Sequence, residues 1–95
     1  MKPVIWTDFS EITVGEICNY LEKKFGLKTA EEYYFDVFST VERIEFNPEL
    51  FPEHKNQSKV RKAVINKKTI LYYKITEFNI VLLAFYDVRM NTHKF

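Results

Sequence analysis

The stretch VRKAVINKKTILYYKITEFNIVLLAFY, residues 60–86, decides the fold. Its β-branched and aromatic residues form three runs separated by polar residues, which is the pattern of short strands. Only three residues separate one run from the next, and connections this short join neighbouring antiparallel strands. The sequence therefore predicts a three-stranded meander, with strands at Val60–Ile65, Thr69–Thr76 and Ile80–Tyr86.

A first helix is predicted over about residues 8–25. Apolar residues recur there every three or four positions and form one helical stripe. Asp8 and Glu11 have the spacing of a capping box at its start. Gly26 supplies a stop after the last turn.

A second helix is predicted from the capping box of Thr29 and Glu32 to Asn47-Pro48. Only three residues would separate the two helices, so we expect an antiparallel helical hairpin. Aromatic side chains recur at helical spacing in this segment, and we interpret them as core and inter-helix packing rather than a base-stacking surface. They are Tyr33, Tyr34, Phe35 and Phe38.

The remaining segments complete a β-α-α-β-β-β order. Residues 3–6 are predicted to form a short edge strand. Residues 47–58 are predicted to form a loop, with Leu50 and Phe51 against the core. The expected fold class is α+β, with the helical hairpin packed on a mainly antiparallel sheet in one domain over residues 1–95.

Charge is segregated along the chain, although the net charge is only +1. Residues 1–53 hold eleven acids and five Lys or Arg, a net −6, whereas residues 54–95 hold two acids and nine Lys or Arg, a net +7. Any single lysine is explained by solubility or by protection of a sheet edge. The acid-free stretch from His54 to Thr76, with its seven basic residues, instead favours an acidic or polyanionic partner.

Composition excludes several classes of site. Cys18 is the only cysteine and there are two histidines, so we expect no disulfide, no metal site and no cofactor. Two glycines cannot form a glycine-rich phosphate loop, and we expect no small-molecule substrate. Acids near the N-terminus argue against a signal peptide, and the longest apolar run, Ile80–Tyr86, is too short to span a bilayer. We therefore expect a cytoplasmic protein with no membrane partner.

Candidate functional residues lie in the basic half. Arg61 and Arg89 are expected at one rim of the meander, where two guanidinium groups would bind phosphate or carboxylate. The alternative for Arg61 is a structural pair with a nearby acid, whereas Arg89 follows the last strand and has no evident core role. His93 is the residue type suited to proton transfer near neutral pH. The candidates for target binding are Arg61, Lys62, Lys67, Lys68, Arg89 and Asn91, and those for catalysis are Arg61, Arg89 and His93.

The element order and several sequence phrases resemble the RelE/ParE toxin superfamily, in its ParE-like plasmid-stabilisation branch. The phrases are YLEKKFG at residues 20–26, NP and FP at 47–48 and 51–52, VRKAVINKKTILYYKI at 60–75, and FYDVRMN at 85–91. The resemblance covers nearly the whole chain, and the part from residue 60 to 91 is its most specific portion.

The resemblance implies a growth-inhibiting toxin of a type II toxin–antitoxin system, which a cognate antitoxin wraps and neutralises. Members of the ParE branch inhibit DNA gyrase and have no established catalytic residues. Members of the RelE branch enter the ribosomal A site and cleave mRNA, using basic side chains and usually a terminal tyrosine or histidine. An antitoxin that neutralises the basic half should be acidic, with an extended or helical segment in a groove beside the sheet or helices.

The RelE pattern, laid over this chain without gaps, favours the ParE branch. Its five functional positions fall on Arg61, Ala63, Ile70, Arg89 and Phe95. Ala, Ile and Phe neither transfer a proton nor stabilise a developing charge, and RNA cleavage needs both. We therefore expect a non-catalytic inhibitor of gyrase. The alternatives are a ribosome-dependent endoribonuclease that uses Arg61, Arg89 and His93, and an inactive relative that only binds the antitoxin.

Overall fold

Four strands and two helices follow one another in the predicted order. The structure, a computed structural model, describes residues 1–55 and 59–90. The elements are β1 (Val4–Trp6), α1 (Asp8–Phe25), α2 (Leu27–Phe46), β2 (Val60–Ile65), β3 (Thr69–Ile75) and β4 (Ile80–Asp87). The predicted α+β class and the β-α-α-β-β-β order are confirmed.

The sheet is mixed and has the strand order β1-β4-β3-β2. Strands β2, β3 and β4 form the predicted antiparallel meander. Strand β1 joins the free edge of β4 in parallel, with Val4 opposite Ile80 and Trp6 opposite Leu82. The short first strand is therefore an edge strand, as its proline predicts.

Thr7, rather than Asp8, caps helix α1. Thr7 is extended, and its hydroxyl oxygen accepts a hydrogen bond from the backbone N–H of Ser10 at 3.1 Å. The same hydroxyl donates to the carbonyl of Leu82 in β4 at 2.7 Å. Threonine is thus favoured at this position because one side chain serves the helix start and the neighbouring strand together.

A single residue, Gly26, separates the two helices, so the predicted start of α2 at Thr29 is wrong. Gly26 has φ of 101°, a conformation that glycine adopts easily because it has no Cβ. Its N–H donates to the carbonyl of Glu22 at 2.9 Å, and its own carbonyl accepts from Ala30 at 3.3 Å. The chain therefore reverses within one residue, and α2 begins at Leu27.

One face of the sheet packs against the helices, and we name the opposite face the open face. Alternation along β2 separates the two faces, because Ala63 and Ile65 are buried whereas Val64 is exposed. The large, fully buried side chains of the core come from both helices and from β3 and β4: Ile17, Leu21, Tyr33, Val37, Ile44, Leu71, Tyr73, Ile80, Leu82 and Phe85.

The segment that follows α2 folds back along β2, where Glu53 forms an isolated antiparallel bridge with Arg61. Phe51 packs against the core, as predicted. The predicted burial of Leu50 is wrong, since that side chain is 40% exposed. Leu50 closes a turn onto the carbonyl of Asn47, and this turn leaves its side chain at the surface.

Candidate target-binding surface

The tip of the β2–β3 hairpin lies beside the end of β4. The backbone N–H of Val88 donates to the carbonyl of Lys68 at 2.9 Å, which brings Arg89 close to Lys67 and Lys68. We name these three cations, Lys67, Lys68 and Arg89, the hairpin end. Lys67 and Lys68 are exposed, and neither has an ion-pair partner within the described residues.

Arg89 is bound to a fully buried carboxylate. Its Nε donates to Asp87 Oδ1 at 2.9 Å, and its Nη2 donates to Asp87 Oδ2 at 2.8 Å. The Asp87 side chain is 0% exposed and that of Arg89 is 20% exposed. This two-point geometry fixes the guanidinium plane as well as the charge separation.

Asp87 stays ionised because its oxygens are fully engaged. The hydroxyl of Thr69 donates to Oδ2 at 2.7 Å, and the backbone N–H of Arg89 donates to Oδ1 at 2.9 Å. Burial by itself raises the pKa of Asp87, but the hydrogen bonds from Arg89 and Thr69 outweigh it and hold the pKa below its usual range. The same pair raises the pKa of Arg89.

Side chains of helices α1 and α2 also lie beside this ion pair. The hydroxyl of Tyr20 donates to the carbonyl of Arg89 at 3.0 Å, and the Arg89 guanidinium lies 5.9 Å from the ring centre of Phe25. The buried hydroxyl of Tyr33 has no hydrogen-bond partner in the described structure. Burial and then the charge of Asp87 raise the pKa of Tyr33.

The expectation that Arg89 has no core role is therefore wrong. Asp87 would be a buried, unpaired charge without it, which proteins avoid because of the cost of desolvation. The sequence held one signal for this pairing, since Asp87 and Arg89 are two residues apart and lie at the end of a strand. Thr69 and Tyr20 could not be identified as partners before the register was known.

Arg61 also has a structural role, at the other end of β2. Its Nη1 donates to the carbonyl of Phe51 at 2.7 Å, and its Nη2 lies 4.0 Å from a carboxylate oxygen of Glu49. The Arg61 side chain is 18% exposed, whereas that of Glu49 is 79% exposed. Arg61 therefore fastens the segment after α2 to the sheet, and its alternative interpretation as a partner of a nearby acid holds.

The two arginines do not share a rim. Arg61 pairs with Tyr73 of β3. Asp87 pairs with Thr69, at the other end of β3, and Arg89 follows Asp87. Thr69 in turn pairs with the last residue of β2, four residues from Arg61, which is about 13 Å at about 3.3 Å per residue. The expectation failed because β2 and β4 run in the same direction on either side of β3, so the start of β2 and the end of β4 lie at opposite ends of the meander.

Further cations lie on the open face. Lys62 is paired with Tyr72, and Lys74 lies two positions further along β3. The ring of Tyr72 is packed by His54, with 5.4 Å between ring centres. Lys62 thus belongs to the open face, away from the hairpin end.

Two candidate residues, Asn91 and His93, lie outside the described residues, and so does Phe95, the last position of the RelE pattern. Within the described ones, no group of three or more His, Cys, Asp or Glu side chains is placed to hold a metal ion. None of the helices in this part of the chain is long and apolar enough to cross a bilayer.

The fold matches that of a solved chain. A chain from the chromosomal ParDE TA system of P. aeruginosa aligns with a TM-score of 0.80, covering 93% of this chain and 97% of that one. The fold is RelE/ParE-like. Sequence identity is 14%, so the similarity is one of fold. No protein-family model and no curated protein sequence matches the chain.

In this RelE/ParE-like fold, the charge segregation seen in the sequence becomes a division between layers. Exposed acids lie on the helices, among them Glu11, Glu31 and Glu42. The helices also carry four exposed cations, Lys23, Lys24, Lys28 and Arg43, whereas strands β2, β3 and β4 and the β2–β3 turn hold cations and no exposed acid. The arrangement suits electrostatic binding of an anionic or acidic surface to the sheet layer.

Proposed function

We propose that this chain is the toxin of a type II toxin–antitoxin system, a growth inhibitor that a cognate antitoxin neutralises. The observation that carries the proposal is the ParE-like fold over 93% of the chain. A single toxin domain over residues 1–95 and a cytoplasmic location belong to the same proposal. An acidic antitoxin segment would neutralise the exposed lysines of the sheet layer.

DNA gyrase is the proposed target. A RelE-like nuclease would rely on Arg61 and Arg89, but both guanidinium groups already form hydrogen bonds within the fold. Ala63 is fully buried and Ile70 has no ionisable group. These facts favour binding and inhibition over RNA cleavage. The second candidate is a ribosome-dependent mRNA endoribonuclease that draws on His93, and the third is an inactive relative that binds only the antitoxin.

The test uses the purified chain in two assays, DNA supercoiling by gyrase and cleavage of mRNA on programmed ribosomes. We expect supercoiling to be inhibited and mRNA to stay intact. Cleavage that disappears in His93→Ala would establish the nuclease instead. Activity in neither assay, together with normal growth of cells that express the chain without an antitoxin, would contradict the toxin proposal.

Charge variants locate the target-binding surface. We expect Lys67→Gln/Lys68→Gln to lose most of the inhibitory activity, because both cations are exposed and free of ion pairs among the described residues. The matched control, Lys55→Gln/Lys74→Gln, removes the same charge near the other end of the sheet. Equal losses in the two double variants would mean that net charge, rather than the hairpin end, matters.

A further inference from the structure

The outward side of α2 carries a shallow furrow beside strand β1. Its central part, about 430 Å³, is lined by Val4 and Trp6 of β1 and by Phe35, Phe38, Glu42 and Glu45 of α2. We name this region the α2 furrow. Neighbouring depressions continue it towards both ends of the helix, one around Phe35 and one around Phe46.

The furrow exposes aromatic side chains that the sequence assigned to the core. Phe35 is 73% exposed, Phe38 is 53% exposed, and Tyr34 is 41% exposed. Phe38 packs between the rings of Trp6 and Tyr34, with ring centres 5.7 and 5.8 Å away. The predicted core role of Phe35 and Phe38 is therefore wrong, because the buried stripe of α2 passes through Tyr33, Val37 and Val41 on another side of the helix.

Acidic side chains border these rings. Glu42 and Glu45 line the central part of the furrow together with no Lys or Arg, and neither has a hydrogen bond or an ion pair in the described parts of the chain. The extensions hold Lys28 and Arg43 as well as acids. Apolar surface of this kind, rimmed by polar groups, marks interaction sites. Unpaired acids at the border favour a partner that brings positive charge.

A second copy of this chain suits the central part of the furrow less well than a basic helix does. A symmetric dimer that paired the two central parts would bring Glu42 and Glu45 of both copies into one interface. Like charges there disfavour association, and the cations Lys28 and Arg43 line only the extensions of the furrow. The complementary occupant has an apolar row bordered by Lys or Arg, and helix α2 offers a length of about 30 Å at about 1.5 Å per residue.

We propose that the α2 furrow binds an amphipathic helix of a protein partner, with an apolar row bordered by Lys or Arg. The apolar row covers Phe35 and Phe38, and the basic borders pair with Glu42 and Glu45. This helix is part of the antitoxin, an assignment that rests on the proposed function. The apolar and basic character of the helix is inferred from the residues of the furrow alone. The antitoxin then carries both signs of charge, with a basic helix on α2 and an acidic segment against the sheet layer.

Trp6 is the only tryptophan of the chain and lines the furrow, so its fluorescence reports occupancy. The full chain is titrated with a helical, tryptophan-free peptide that has a leucine row bordered by lysines. A twin peptide has glutamates in place of the lysines. We expect the lysine peptide to shift the Trp6 emission and to bind roughly tenfold or more tightly than its twin, with the preference weakened by salt. Equal affinities would overturn the proposal.

Matched variants test the furrow residues. Glu42→Lys should weaken binding of the lysine peptide severalfold. Glu53→Lys, at another exposed glutamate, in the segment that bridges to β2, should leave it unchanged. Phe35→Ser should weaken binding, whereas Phe78→Ser should not, and both phenylalanines are 73% exposed in the free chain. Equal effects within either pair would contradict the assignment.

Sedimentation of the free chain provides a separate outcome. A dimer that Phe35→Ser dissociates would mean that a second copy covers the furrow, and would overturn the proposal. Failure of the toxin proposal looks different, because gyrase, ribosomes and growth would be unaffected while the peptide preference persists. If the antitoxin binds the Phe35→Ser and Glu42→Lys variants normally, its helix does not use the furrow.

Discussion

Arg61 and Arg89 are the two arginines of the basic half, and the structure treats them differently. Arg89 forms two hydrogen bonds with Asp87, a carboxylate that is 0% exposed. Arg61 donates to a backbone carbonyl and lies 4.0 Å from Glu49, a carboxylate that is 79% exposed. The side chains of Arg89 and Arg61 are almost equally covered, at 20% and 18% exposed.

The difference therefore lies in the partners rather than in the arginines. A buried carboxylate cannot regain water when its cation is removed, whereas an exposed one can. Arg89 is thus required by Asp87, while Arg61 is required only by one carbonyl of the segment after α2. Loss of activity on mutation of Arg89 consequently does not identify a target contact by itself.

Arg89→Ala should cause the largest loss of stability. We expect the free energy of unfolding to fall by about 3–5 kcal/mol, because Asp87 is left as an uncompensated buried charge. Urea denaturation of the purified variant measures this. A loss below about 1 kcal/mol would place Arg89 and Arg61 in the same class and remove the contrast between them.

Asp87→Asn/Arg89→Ala is the control that separates folding from function. The double variant has no buried charge, and the amide oxygen introduced at position 87 can still accept the hydrogen bond from Thr69, so the variant should be more stable than Arg89→Ala. If toxicity is restored along with stability, Arg89 acts through the fold. Toxicity that stays lost in the stable double variant would assign Arg89 to the target surface.

Acid should lower the stability that the Asp87–Arg89 ion pair contributes. The folded-state pKa of Asp87 is held below the usual value of about 3.9, so its contribution is complete above about pH 4 and is lost as pH falls through the lowered pKa. Urea midpoints measured from about pH 6 to about pH 2 should fall more steeply in the wild type than in Asp87→Asn. Parallel curves would contradict the lowered pKa.

Hydrophobic period and connection length were sufficient for most of the fold. The three-residue connections after β2 and β3 predicted the meander, and it formed with nearly the predicted bounds. The start of α2 was missed because the Thr29 signal is local. The connection at Gly26 depends instead on a single positive φ that no pattern records.

The candidate surface was less predictable because it depends on register and on which side of a helix is covered. Lys67 and Lys68 were placed correctly at a hairpin tip, since a turn position follows from the strand pattern. The opposite placement of Arg61 and Arg89 follows from the predicted meander itself, so the expectation of a shared rim was an error of topology, whereas the pairing of Asp87 with Thr69 depends on register. Phe35 and Phe38 share the helical spacing of core residues and yet lie outside the core.

Arg61→Ala should cost less than Arg89→Ala. We expect a loss of about 1.5–3 kcal/mol, since a charged donor leaves the carbonyl of Phe51. Glu49→Ala should change stability by no more than about 0.5 kcal/mol, because its carboxylate is mostly in water. Urea denaturation gives both values. An equal loss in the two variants would mean that the ion pair, and not the carbonyl contact, holds the segment after α2.

The remaining expected effect is a gain in stability, and it comes from the hairpin tip beside Arg89. Lys67 has φ of 69°, a conformation that costs a residue with a Cβ about 1–2 kcal/mol, so Lys67→Gly should raise stability by about 1 kcal/mol. Asn66 has φ of 48°, but its side chain donates to Asp36 at 2.9 Å, and Asn66→Gly should therefore give no gain. Lys67→Ala removes the same charge without relieving the backbone. If it stabilises the chain as much as Lys67→Gly does, repulsion between Lys67 and its neighbouring cations, rather than backbone strain, is what the hairpin end tolerates.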